Sequence, residues 1–136
     1  MDGVILTPLK KIPNISGDVL HAMKASDEGF SGFGEAYFSC LNKGATKGWK
    51  KHNKMTLNLI VITGEIKFVV YNERNYYEVK LSKDNYQRLT IAPGLWLAFK
   101  GLSKKNVLLN LANIEHDPNE SESMNLYDFD YNWNKI

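Results

Sequence analysis

Apolar residues in this chain come in short runs rich in Val, Ile, Leu, Tyr and Phe, and each run is closed by a cluster of Gly, Pro, Asn, Asp or Ser. Runs that short, bounded by turn formers, read as strands, because a helix needs its 3.6-residue apolar period sustained over ten or more positions. The pattern predicts strands over Glu35–Leu41, Thr56–Thr63, Glu65–Tyr71, Tyr76–Leu81, Gln87–Ile91, Leu95–Lys100 and Val107–Asn113. Alternation is clearest in Glu65-Ile66-Lys67-Phe68, where polar and apolar side chains trade faces. Gly64 and the stretch Asn72 to Asn75 read as hairpin turns, and Pro93-Gly94 interrupts what would otherwise be one long strand. Asp18–Ser26 is the one helix candidate. Several short strands at this spacing predict an all-β sandwich or barrel. With 136 residues, the expectation is a single domain over 1–136: an N-terminal arm to about 34, a barrel core over 35–113, and an acidic tail over 114–136 whose aromatics dock it.

Leu57 to Ile62 is the longest apolar run, and Asn58 breaks it, so no membrane-spanning helix is expected. Met1-Asp2-Gly3 reads as an ordinary translation start without a secretory leader. The single Cys40 has no intramolecular disulfide partner, which together with that start points to a reducing cytoplasm. A net charge of +2 does not resemble that of a dedicated nucleic-acid binder, and an RNA-binding barrel using Trp49 as a stacking platform ranks last among the readings, yet the charge is unevenly placed. Lys43, Lys47, Lys50, Lys51 and Lys54 are opposed by Glu115, Asp117, Glu120, Glu122, Asp128 and Asp130 far along the chain. Such a lysine cluster suits a small anionic ligand such as a diphosphate.

Spacing sharpens this. Gly44, Lys50, His52, Leu57 and Gly64 keep the frame of the cupin motif Gly-x5-His-x-His-x4-Glu-x6-Gly, and Ala92-Pro93-Gly94-Leu95-Trp96-Leu97-Ala98-Phe99 resembles the later Pro-Pro-Gly-x-x-His-x-Phe segment. Positions 50 and 52, two apart on a strand, face one side, as a shared site requires. Of four metal-ligand positions only His52 keeps a donor, since Lys50 is cationic and Leu57 and Leu97 carry none, so no metal is expected.

Gly17-Asp18-Val19-Leu20-His21, then Gly32-Phe33-Gly34-Glu35-Ala36-Tyr37-Phe38, then Lys47-Gly48-Trp49-Lys50-Lys51-His52, with His116-Asp117-Pro118 in the tail, resemble the dTDP-4-dehydrorhamnose 3,5-epimerase family and the related sugar-nucleotide 3,4-ketoisomerases. The resemblance implies a cupin-type antiparallel jelly-roll barrel with a short N-terminal helical or irregular segment, forming a cytoplasmic homodimer. It implies a metal-independent epimerase or ketoisomerase acting on a nucleotide-linked 4-keto sugar in surface polysaccharide biosynthesis, with no cofactor, no nucleic-acid partner and no membrane. The alternative is a catalytically degenerate cupin that binds a nucleotide sugar or a partner without turnover.

The chemistry needs a base beside the ketone, an acid, and a donor for the enolate, because the ketone itself acidifies the neighbouring C–H. The family's histidine base matches Lys50, its tyrosine acid matches Leu109, and its aspartate partner is expected beyond the end of this chain. Lys50, His52 and Tyr37 are therefore the expected catalytic residues: Lys50 as a base if burial and the neighbouring lysines Lys47, Lys51 and Lys54 lower its pKa, His52 as a proton carrier beside it, and Tyr37 as the remaining phenol for the acid role. Lys47 takes the place of the family's diphosphate-binding arginine, and Lys54, Trp49, Asn58 and Trp96 are expected to complete the substrate site.

Overall fold

A computed structural model describes residues 1–135; Ile136, the last residue of the expected tail, lies outside them. Strand and turn formers resolve into β1 (Val4–Pro8), β2 (Lys11–Ile12), β3 (Val19–Leu20), β4 (Glu35–Asn42), β5 (Thr46–His52), β6 (Leu57–Thr63), β7 (Ile66–Tyr71), β8 (Tyr76–Leu81), β9 (Gln87–Ile91), β10 (Trp96–Gly101), β11 (Lys105–Ala112) and β12 (Ser121–Ser123). They form two five-stranded antiparallel sheets, ordered β1-β9-β6-β11-β4 and β12-β5-β10-β7-β8, with β2 and β3 as a separate hairpin. This is the cupin jelly roll.

Between the sheets, alternate side chains point inward: Leu57, Leu59 and Val61 from β6 meet Ile66, Phe68 and Val70 from β7, with Leu41, Leu89, Leu97 and Leu108 closing the core. Full burial of each such side chain stabilises by about 1.5–3 kcal/mol, which makes this apolar interior the main source of the fold's stability.

Three readings change. Gly64 is not a hairpin turn: β6 pairs with β9 and β11 while β7 pairs with β8 and β10, so the residue turns the chain from one sheet to the other. Its φ of 78° suits glycine, and a Cβ there would lie 2.1 Å from the Lys105 carbonyl oxygen. Asp18–Ser26 forms no helix. Val19 and Leu20 pair with Ile12 and Lys11, and the carbonyls of Ala22 and Glu28 accept from the buried Arg88 guanidinium instead of from a helical ladder. Lys67 alternates outward as read, yet it is buried, because the tail lies across that outer face and its Nζ donates to the Lys135 carbonyl.

The tail builds a second core there. Phe129, Tyr131 and Trp133 pack against Trp49, Tyr71, Tyr76 and Trp96 on the outer face of the β5-β10-β7 sheet. Residues Ser121–Ser123 extend that sheet by pairing with His52, Lys51 and Lys50. The acidic tail thus lies on the lysine-rich strand.

Candidate functional site

Strand β5 decides which residues reach the interior. Lys50 and His52 face the same side, and a bulge opposite Leu97 and Ala98 places Lys47 there as well, although three positions separate it from Lys50. Gly48 permits the bulge: its φ is 133°, and a Cβ would lie 2.5 Å from that of Ala98. The three side chains border a cavity of about 340 Å³, the lower end of the range for small-molecule sites. Its apolar lining is Leu57, Leu59, Leu97, Phe99 and Leu108, and its polar lining is Tyr37, Ser39, Lys47, Lys50, His52 and the buried Asn110. Leu57 and Leu97, where cupins keep metal donors, thus serve as wall. Among the described residues no group of three His, Cys, Asp or Glu is gathered as a metal would need.

His52 is held by a residue that sequence reasoning missed. Glu120, 4% exposed, accepts a hydrogen bond from His52 Nδ1 at its Oε1. Its Oε2 accepts the backbone N–H groups of Asn53 (3.1 Å), Lys54 (2.9 Å) and Met55 (3.2 Å). Burial opposes ionisation of this carboxyl, but the hydrogen bonds from His52, Lys54 and Met55 outweigh it and hold Glu120 below its ordinary 4.5. An ionised carboxylate only accepts, so His52 Nδ1 carries a proton, and in the neutral imidazole the lone pair is then on Nε2. The tail was read as a docked acidic stretch, and nothing in its local sequence singles out Glu120 from Glu115 or Glu122.

Across the cavity, Tyr37 is half-exposed and its hydroxyl accepts from Asn110 Nδ2 at 2.9 Å. Lys50 is exposed at the mouth, and Lys47 Nζ donates to Ser39 Oγ and to the Cys40 carbonyl on β4. Leu109, matched to the family's tyrosine, points away from the cavity, since Leu108 and Asn110 on either side take the inward positions.

The other expected contacts lie elsewhere. Trp49, 1% exposed, turns its ring outward into the second core, where its Nε1 donates to the Leu126 carbonyl; only the bulged strand brings it to the cavity border. Trp96 faces the same way beneath Lys51, which also pairs with Glu122 at 3.4 Å. Neither indole offers a face to a ligand in the cavity, because alternation sends it to the other side of the sheet. Asn58 is turned from the cavity for the same reason: its Oδ1 accepts from Arg88 Nε and Thr90 Oγ1, and its Nδ2 donates to the Gly29 carbonyl. The Lys54 side chain is exposed and outside the cavity lining.

Glu120 predicts an acid limit to stability. A carboxyl whose folded-state pKa is depressed contributes stability above its unfolded value and loses it as the pH falls through the folded one. Glu78 and Asp27 act in the same direction, the first held down by the Tyr131 hydroxyl and the second by the Lys24 backbone N–H. The melting temperature is therefore expected to decline once the pH drops below about 4.5, and Glu120→Gln to flatten that decline. Circular-dichroism melts across the acid range check this, and an unchanged midpoint down to pH ~3 would contradict the linkage.

The family model described as WxcM-like, C-terminal (FdtA) matches residues 3–130. Among solved structures, a dTDP sugar isomerase from Desulfovibrio desulfuricans G20 is 32% identical, with 99% of this chain and 93% of that one covered and a TM-score of 0.94. QdtA, a sugar 3,4-ketoisomerase from Thermoanaerobacterium thermosaccharolyticum solved with TDP, is 24% identical over 90% of this chain and 88% of its own, at a TM-score of 0.80. The dTDP-6-deoxy-D-glucose-3,5-epimerase RmlC from Legionella pneumophila Philadelphia 1 shares 19% identity and the fold, covering 94% and 76% of the two chains at a TM-score of 0.80. No curated protein matches in sequence.

Proposed function

Because the chain belongs to the WxcM-like, C-terminal family, we propose that it is an epimerase or ketoisomerase of a nucleotide-linked 4-keto sugar, acting by proton abstraction next to the ketone without a metal or cofactor. The observation that carries this reading is the Glu120–His52 pair, which ties up Nδ1 and leaves Nε2 as the other nitrogen of a residue bordering the same cavity as the Tyr37 phenol. His52 Nε2 takes the proton from the carbon beside the ketone, and the C–H electron pair passes into the enolate, whose oxygen becomes negative. Lys50 steadies that charge from the mouth, and Tyr37 donates a proton. Return of a proton to the opposite face of the same carbon gives an epimer; return to the former carbonyl carbon, with loss of the neighbouring hydroxyl proton, moves the ketone.

Lys47, tied to β4 through Ser39 and Cys40, is the diphosphate anchor of this reading. The relatives support the ligand class, since the Desulfovibrio protein is a dTDP sugar isomerase and the two more distant structures are a ketoisomerase with TDP and a dTDP-sugar epimerase. Surface polysaccharide synthesis and a cytoplasmic location complete the proposal, the latter resting on the lone, exposed Cys40. A homodimer fits β4, the last strand of its sheet, whose outer face exposes Phe38.

Incubation in deuterium oxide with dTDP-, GDP- and UDP-4-keto sugars is expected to introduce deuterium into the sugar ring. His52→Asn is expected to lower that exchange roughly 10²–10⁴-fold while dTDP still binds, and Lys47→Ala to weaken binding. Absence of exchange with every one of these sugars would sink the enzymatic reading.

A further inference from the structure

The phenol that faces His52 in this reading has its own orienting partner. Asn110 is 1% exposed in the cavity wall. Its Oδ1 accepts the backbone N–H of Asn58 at 3.1 Å, and its Nδ2 donates to the Tyr37 hydroxyl at 2.9 Å. A backbone N–H can only donate, so it dictates which end of the amide must face it. The NH₂ end is left for Tyr37, whose oxygen has to accept. A phenol has one proton, and an oxygen that accepts from Asn110 keeps that proton for another partner. The Asn58 N–H belongs to β6 and Asn110 to β11, strands that pair through Leu59 and Asn110, so sheet register fixes the arrangement before any ligand arrives.

We propose that Asn110 is a positioning residue that holds the Tyr37 phenol as a hydrogen-bond donor toward the bound sugar, and that steadies the phenolate once the proton has gone. This rests on the proton-transfer reading of the site. As the Tyr37 O–H bond breaks, its electron pair stays on the phenolic oxygen, where an Asn110 N–H already points, and the proton forms a new bond to the substrate. His52 returns its acquired proton to solvent or product, and Tyr37 is reprotonated in turn. The two sides of the cavity are set by one device: a buried side chain with one atom pinned by backbone N–H groups presents its other atom to a reacting residue.

Asn110→Asp tests this with little change of shape. The carboxylate still accepts from the Asn58 N–H, but its second oxygen draws the Tyr37 proton toward itself and away from the sugar. Turnover is expected to fall roughly 10²-fold or more, as in Tyr37→Phe, with KM nearly unchanged, and the double variant to be within about twofold of the slower single one. Multiplicative losses in the double variant would show independent roles and overturn the proposal. Where Asn110→Asp does not fold, Asn110→Ser carries the same double-variant test. A measurement without substrate separates this proposal from the enzymatic reading. In ¹⁵N spectra one Asn110 side-chain amide proton is expected to be shielded from solvent exchange, and Tyr37→Phe to remove that protection. An amide signal indifferent to Tyr37→Phe refutes the orientation whether or not any sugar is turned over; intact coupling with no exchange in any sugar would refute only the enzymatic reading.

Discussion

Replacing Glu120 by glutamine is expected to cut turnover roughly 10²–10⁴-fold while the protein stays folded. The reason is a change of tautomer. The oxygen of the new amide must serve the N–H groups of Asn53, Lys54 and Met55, since those three can only donate. Its NH₂ then meets His52, so Nδ1 is forced to accept and the ring proton moves to Nε2. The nitrogen that was to take the substrate proton no longer has a lone pair. Binding of dTDP is expected to persist, and ¹⁵N shifts of the imidazole should report the exchange of proton positions. Wild-type turnover with the ring proton on Nε2 would remove His52 as the base, and a ring that keeps its proton on Nδ1 would overturn the tautomer change. Glu120→Ala is the harsher change: it leaves three backbone donors and His52 unpartnered in a buried place, and breaking a buried pair in this way typically costs about 3–5 kcal/mol.

Trp49→Ala is expected to destabilise the protein by about 3–5 kcal/mol, a large share of the roughly 5–15 kcal/mol that holds such a domain together. Its ring lies 5.4 Å from Phe129, 5.7 Å from Trp133 and 6.3 Å from both Tyr71 and Tyr76. It also anchors the tail twice, through Nε1 to the Leu126 carbonyl and through backbone hydrogen bonds exchanged with Met124. Loss of the indole therefore opens a cavity and loosens the segment that carries Glu120. The melting midpoint is expected to fall by roughly 10–20 °C, with turnover lost in parallel as His52 loses its partner. A midpoint within about 3 °C of wild type would show that the second core contributes little to docking the tail. Trp49→Phe should recover most of the packing but not the hydrogen bond to Leu126, and so separate the two contributions.

The strands that form the interior were legible because their apolar runs are short and their punctuation strong. Tyr76–Leu81 and Gln87–Ile91 lie where the spacing put them, and the strand read over Thr56–Thr63 begins one residue later, at Leu57. Composition alone did not mark Thr46–His52, with its three lysines; only the motif spacing put positions 50 and 52 on a strand, and the segment is one because it pairs with β10 and β12. For the site, the alternation that put positions 50 and 52 on one face held. That same alternation turned Trp49, Trp96 and Asn58 away, and only the bulge at Gly48 returned Lys47 to the cavity.

The sequence by itself determined the fold class, the family frame from Gly44 to Gly64, and the facing pair Lys50 and His52, because those depend on local period and spacing. Tertiary structure alone decided what the short, nearly neutral chain does with its charges. The tail folds back so that Glu122 pairs with Lys51 and Glu120 with His52, a meeting of residues 68 positions apart. Local patterning carries no record of such a contact. It follows from burying the tail's aromatic residues against Trp49 and Trp96, and the apolar packing that docks the tail is what delivers the carboxylate to the imidazole.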